Sequence, residues 1–207
     1  MMDDKETAKL LLEAKALAFN VKEPYTFASG IRSPVYMDCR LLISDVMRRG
    51  RIIEALSEAV AKTRPGMVAA TASAGIPWGA WVAERLSLPF IYVRQQVKDH
   101  GKGKKIEGEV RSGSKAVVVE DLVSTGGSSI ATVESLREAG VKVEDCVSIF
   151  TYGMADSREA FKKAGVQLYS LSNFNAAADV AAQMGYLGEK EVSEAKKWVL
   201  DPKRWPR

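Results

Sequence analysis

From Met67 onward the chain alternates short apolar runs with segments of helical period. The apolar runs predict strands over residues 67–71, 90–94, 116–120, 143–150 and 166–171, since runs this short, bounded by turn formers, suit strands buried on both faces. Apolar residues three and four apart predict helices over 76–86, 128–139 and 156–164, and a last one near 190–199. Gly140 and Gly165 stand just past two of these helices, where a left-handed C-cap is expected. Nearer the amino end, Leu10, Leu11, Ala14, Leu17 and Ala18 share one face of a helix predicted over 5–19. Ser44 is the expected N-cap of a second helix running to Lys62, with Val46, Ile53, Leu56 and Val60 facing inward. Pro24, Gly30 and Pro34 punctuate the segment between, which holds a short strand at 35–37. Strands alternating with helices predict an α/β fold, a parallel sheet covered on both faces. The expected organisation is a single domain over 1–207, with a core over about 41–171 and a small hood from about 1–40 and 172–207.

Composition narrows the function. At 207 residues and 46% hydrophobic the chain buries one substantial core, which excludes a disordered state. The net charge is only +4, and it is local: Arg94, Lys98, Lys102, Lys104 and Lys105 face only Asp99, while the remaining charges balance. Such a confined excess suits a small anionic ligand better than a nucleic acid. Cys39 and Cys146 form neither a metal spacing nor a disulfide framework; they read as free buried thiols suited to a reducing cytoplasm. The start MMDDKETAKL is acidic where a signal peptide is basic, and no apolar run reaches the ~18 residues of a membrane span. A cytoplasmic protein without membrane or nucleic-acid partners is expected.

The run AVVVEDLVSTGGSS, residues 116–129, is the most informative. A valine strand ends in Glu120 and Asp121, then Ser124, Thr125, Gly126, Gly127 and Ser128 lead into a helix. Glycines at the carboxyl end of a parallel strand let backbone N–H groups approach an anion, and the helix N-terminus adds its dipole. No lysine follows the glycines, so the run is not a Walker loop. The acidic pair needs something other than phosphate to bind, and sugar hydroxyls or a metal-bound sugar would serve; an N-cap cluster with two solvated acids is the plainer alternative. The segment YVRQQVKDHGKGKKIEGEV, residues 92–110, holds the chain's single histidine, His100, among glycines and lysines, and reads as a mobile cationic loop able to cover a polyphosphate. After another apolar strand comes TASAGIPW, residues 71–78, a candidate anion-binding turn, and FASGIRSPVYMDCR, residues 27–40, is an ordered loop bearing Arg32 and Ser33.

Together, and in this order, these segments resemble the type I phosphoribosyltransferase family and, within it, the orotate phosphoribosyltransferases. VVVEDLVSTGGSS is similar to the signature for phosphoribosyl pyrophosphate (PRPP), while VKDHGKGKKIEG and FASGIRSPVYMDCR are similar to segments of the orotate enzymes. The resemblance implies transfer of phosphoribose from PRPP to orotate with Mg²⁺, yielding orotidine 5′-monophosphate and pyrophosphate in pyrimidine (UMP) biosynthesis, by a homodimer that shares its sites. It implies that Glu120 and Asp121 hold the ribose hydroxyls and that Leu122, Val123, Ser124, Thr125, Gly126, Gly127 and Ser128 form the rest of the PRPP run. Ala72, Ser73, Ala74 and Gly75 would line the pyrophosphate. Arg94, Lys98 and His100 would reach pyrophosphate across the dimer interface, with Lys98 and His100 the catalytic pair. Ser124 would also touch orotate, and no protein metal site is implied, Mg²⁺ being bound mainly through PRPP. The sequence departs from the family pattern in three places. Gln95 and Gln96 follow Arg94 where many members have two cations, Ala28 stands where one branch has lysine, and the place of an orotate-binding arginine falls near Tyr152. Arg32, or backbone N–H groups of the 29–33 loop, is therefore expected to hold the orotate carboxylate. The alternatives are a purine or xanthine phosphoribosyltransferase, against which the K-D-H-G loop argues, and a PRPP-sensing regulator, for whose DNA-binding domain the chain has no room.

Overall fold

The structure is a computed structural model that describes residues 2–27, 30–95 and 105–205. Its centre is a six-stranded sheet of β5 (Met67–Thr71), β6 (Phe90–Val93), β7 (Ile106–Glu107), β8 (Lys115–Val123), β9 (Lys142–Thr151) and β10 (Gln167–Asn173), in spatial order β10-β9-β8-β5-β6-β7. All neighbours are parallel except β7, which pairs antiparallel with β6 at the edge. Alternation across the pleat explains why the central strands are apolar throughout. In β8, Val117 and Val119 enter one core cluster and Ala116 and Val118 the other; in β5, Val68 faces one way and Met67 and Ala69 the other. One face is covered by α2 (Val46–Lys62) and α3 (Gly75–Leu86), the other by α4 (Gly127–Glu138) and α5 (Ala155–Ala164). Fully burying each valine contributes about 1.5–3 kcal/mol, which makes the valine run of β8 the axis of the fold.

The rest of the chain collects on the first core cluster. It comprises α1 (Asp4–Glu13), the small antiparallel pair β1 (Leu17–Phe19) and β4 (Val35–Met37), the hairpin β2 (Tyr25–Thr26) and β3 (Arg32–Ser33), a 3-10 turn at Cys39–Ile43, α6 (Phe174–Gln183) and α7 (Glu189–Leu200). Among the described residues no helix is long and apolar enough to cross a membrane.

The sequence reading needs correction at four points. The helix predicted over 5–19 ends at Glu13, because Lys15 turns left-handed (φ 56°) and Leu17–Phe19 leaves to pair with β4, Leu17 opposite Met37. Asp45, not Ser44, caps α2, its carboxylate accepting from the Arg48 backbone N–H at 3.0 Å. Val46 is 65% exposed, and Ile52 takes an inward position instead. Helix α6 was not anticipated; Asn173 starts it by accepting from the Ala176 N–H at 3.1 Å. Cys39 and Cys146 are free and buried, as expected.

Candidate active site

From β5 the sheet is extended on one side by β6 and on the other by β8, β9 and β10, all parallel, so the order of strand addition reverses between β5 and β8. A crevice at the carboxyl ends of the strands opens at such a point. β5 stays paired with β8 only to Ala70 opposite Val119, while β8 continues beside β9 as far as Val123. Glu120 and Asp121 therefore lie inside β8 rather than beyond its end, on the side where β5 has stopped.

Two loops flank this acidic pair, and each runs directly into a helix. After β5 comes Ala72-Ser73-Ala74, with a cis peptide bond between Ala72 and Ser73, and then α3; after β8 comes Ser124-Thr125-Gly126, and then α4. The N-cap positions are Ala74 and Gly126, and neither helix has a side-chain cap. Side chains of Asp3, Asp45 and Asn173 cap α1, α2 and α6; α5 and α7 also lack a side-chain cap, and what sets α3 and α4 apart is that both start beside the acidic pair. The first-turn N–H groups of α3 and α4 are thus left for an anion, at two adjacent helix N-termini. Two glycines make the arrangement possible. Gly126 has φ +84°, a conformation that L side chains rarely adopt, and a Cβ on Gly75 would stand 2.9 Å from the Val119 carbonyl oxygen and 3.4 Å from Glu120 Oε1. The loop after β5 is held against the acidic pair by that lack of a side chain.

Glu120 is 4% exposed. Its Oε2 accepts from Ser129 Oγ at 3.2 Å and Ser128 Oγ at 3.5 Å, and its Oε1 from the Asp121 N–H at 3.3 Å. Burial, and then the neighbouring Asp121 charge, push its pKa up to about 8; burial also raises Asp121. Cys39 donates from its thiol to the Asp121 carbonyl at 3.7 Å, and burial together with nearby carboxylates keeps that thiol protonated. Arg94 pairs with Glu107 across the β6–β7 edge, and its backbone N–H donates to the Lys105 carbonyl at 2.8 Å. The Gln95 amide lies 3.4 Å from both the Ser128 carbonyl and Thr132 Oγ1, tying the segment after β6 to the first two turns of α4. Gln96, Lys98, His100, Lys102 and Lys104 lie outside the described residues.

Beside the β8–α4 turn is a cleft of about 290 Å³ lined by Ser124 and Thr125 together with Phe27, Ile31, Met154 and Trp198, and at its rim by Asp156, Asp201 and Lys203. Its lining is aromatic and aliphatic with two hydroxyls at one side, the character of a pocket for a planar ring. Ser124 was anticipated there; Phe27, Ile31, Met154, Trp198 and Lys203 were not. The apolar spacing of Ala195, Trp198 and Val199 in the last helix was the available signal, and it says "inward" without saying against what. Arg32 is exposed, and its side chain does not line the cleft, although its carbonyl accepts from the Trp198 indole N–H at 2.9 Å. Tyr152 is buried against Phe150 and Trp198, with its hydroxyl pKa raised by burial. Among the described residues no three His, Cys, Asp or Glu side chains stand together as a metal site.

Comparison with known proteins places this geometry. Residues 43–183 match the model of the phosphoribosyl transferase domain. The chain is 46% identical over 202 residues to an orotate phosphoribosyltransferase of Coxiella burnetii, covering 97% of both chains. It is 42% identical over 207 residues to one of Listeria monocytogenes, covering 99% of both. The crystal structure of orotate phosphoribosyltransferase from Aeropyrum pernix superposes with a TM-score of 0.74 at 31% identity, covering 87% of this chain and 99% of that one.

Proposed function

This chain belongs to the orotate phosphoribosyltransferase family, and from that premise we propose that it joins orotate to PRPP in the crevice between β5 and β8. It is a pentosyltransferase of pyrimidine biosynthesis on a type I phosphoribosyltransferase fold. The bond from ribose C1 to the pyrophosphate oxygen breaks and a bond from C1 to orotate N1 forms, giving orotidine 5′-monophosphate and pyrophosphate. The observation that carries the reading is the pair of uncapped helix N-termini on either side of Glu120 and Asp121, next to a ring-sized cleft.

The positions of the described residues support the following roles. The 5′-phosphate sits in the turn from Ser124 to Ser128, against the free N–H groups of α4, and the pyrophosphate lies along Ala72 to Gly75 at the start of α3. Glu120 and Asp121, between the two, accept from the ribose 2′- and 3′-hydroxyls. Those donors offset the burial, and after it the Asp121 charge, that raise the pKa of Glu120. Ser124 contacts orotate from the turn, and backbone N–H groups of the hairpin serve its carboxylate, the Arg32 side chain lying outside the cleft. Bond breaking places positive charge on the ribose and negative charge on the leaving pyrophosphate, so cations near the latter lower the barrier. Arg94, Lys98 and His100 supply them, Lys98 as the main catalytic residue. The carboxylate oxygens of Glu120 and Asp121 are hard donors that would suit Mg²⁺, which, carried chiefly by PRPP, would supply positive charge to the leaving pyrophosphate.

Homodimerisation is supported by an exposed apolar stretch in one continuous piece of chain: Tyr36 on β4, Leu41 in the 3-10 turn, and Val46 and Met47 at the start of α2. Segments 1–40 and 172–207 form the hood over the core. Cytoplasmic residence accords with the two free thiols. The test follows orotate absorbance with PRPP and Mg²⁺. Wild-type enzyme consumes orotate, and Lys98→Ala loses about 10²–10³-fold in kcat, the scale of removing one electrostatic contact to the transition state. Wild-type enzyme that consumes adenine, guanine or xanthine but not orotate would overturn the reading, and a Lys98→Ala variant of unchanged kcat would overturn the role of that residue.

A further inference from the structure

The walls of the ring-sized cleft come from distant parts of the chain. Phe27 and Ile31 sit at the tip of the β2–β3 hairpin, Ser124 and Thr125 in the β8–α4 turn, and Trp198 and Lys203 in the C-terminal helix and the tail after it. The hairpin is slight. Its strands pair at two positions, Tyr25 with Ser33 and Thr26 with Arg32, and its tip is closed by the Phe27 N–H to the Ile31 carbonyl at 2.9 Å. A two-stranded ribbon of this size does not hold its shape alone in water, so its position depends on what it touches.

Trp198 makes that connection. Its indole N–H donates to the Arg32 carbonyl at 2.9 Å across 166 residues of sequence, and its ring meets Phe27 edge-on with centroids 6.3 Å apart. On the core side the same ring packs against Tyr152 at 5.3 Å and Phe174 at 5.8 Å, all three residues being at least 97% buried. One side chain thus bridges the rigid core and the wall of the cleft. Past α7, the tail brings Lys203 to the rim as the single cation among the described lining residues, against Asp156 and Asp201. An anionic ring entering here meets two carboxylates; Asp201 is already paired with Arg204 at 3.9 Å, and the Lys203 ammonium adds the positive charge within the cleft itself.

We propose that Trp198 is a positioning residue for the base: it fixes Phe27, Ile31 and the backbone of Arg32 as one wall of the cleft, while the tail beyond it presents Lys203 to the anionic substituent of the ring. This rests on the reading of the cleft as the orotate site. The C-terminal segment then acts chiefly on affinity for the base: it shares the cleft with Ser124 and Thr125, but neither Glu120 nor the 72–75 loop lines that cleft.

Trp198→Phe keeps a ring against Tyr152 and Phe174 but removes the N–H. The expected result is an orotate KM raised about tenfold, the change that ~1.4 kcal/mol produces, with the PRPP KM and the kcat at saturation within about twofold of wild type. Lys203→Glu, exposed and therefore harmless to folding, keeps the test open should the first variant not fold. It is expected to raise the orotate KM about fivefold, more at low ionic strength than at high. An unchanged orotate KM in either variant overturns the proposal. So does a Trp198→Phe enzyme whose two KM values rise together as its melting temperature falls, since that marks a purely structural role. Wild-type enzyme inert toward orotate would instead overturn the underlying reading of the cleft.

Discussion

Glu120 holds a carboxyl group where water scarcely reaches, one residue from a second carboxyl. Burial and the Asp121 charge raise its pKa from 4.5 to about 8. The folded protein therefore binds a proton there that the unfolded chain releases between those values, so folding is favoured on the acid side and loses support as pH rises. Glu120→Gln removes this dependence. Without ligands, the wild-type melting temperature is expected to fall more steeply than that of the variant between about pH 5 and pH 8, and the two should converge near pH 4.5. Parallel profiles over that window would mean that Glu120 is ionised when the protein is folded. The same substitution should impair PRPP binding, because an amide accepts hydroxyl protons less strongly than a carboxylate and carries no charge. A variant that is more stable at pH 8 and less active there would show strain kept in place for binding.

At the scale of elements, Gly75 decides how near α3 comes to β8. A Cβ there would press on the Val119 carbonyl at 2.9 Å, so Gly75→Ala must push the start of α3 away from Glu120. Overpacking of this kind costs about 1–3 kcal/mol. Urea denaturation should report that loss, and steady-state kinetics should report a raised PRPP KM; a variant equal to wild type in both would show that the loop has room to spare. The sheet and its helices were legible because their information is local. Val117 to Val119 declare a strand buried on both faces, and β5 begins and ends where the apolar run does. The acidic pair and its glycine turn were legible for the same reason. The elements that escaped depend on distant partners or weak patterns. Leu17–Phe19 continues the helical spacing of α1 but is claimed by β4, and α6, FNAAADVAAQ, is so rich in alanine that its spacing marks no face. The base cleft is less legible still, because Trp198 meets Arg32 only after the whole sheet has formed between them.

At the scale of the whole molecule, the question is whether one subunit completes the site of another. Val46 and Met47 are 65% and 81% exposed, and the neighbouring cations are already committed: Arg40 to Asp38, Arg48 to Asp45, and Arg49 to the Ile43 carbonyl. Apolar side chains fenced by arginines have the composition of an interface core and rim, and a two-fold pairing would bury the same stretch on both copies. Met47→Glu should then convert a sedimenting dimer to monomer at micromolar concentration. If Lys98 serves the partner's site, activity falls with dissociation. Subunit mixing separates that case from a dimer with independent sites. Lys98→Ala and Asp121→Asn are each expected to be nearly inactive alone. When the two are dissociated together and reassociated, about half the dimers pair one of each. In such a dimer one site joins Asp121 of the first subunit to Lys98 of the second, and the other site collects both lesions. Recovery of about a quarter of wild-type activity is expected for shared sites; where each subunit uses its own Lys98, every site carries a lesion and no activity returns.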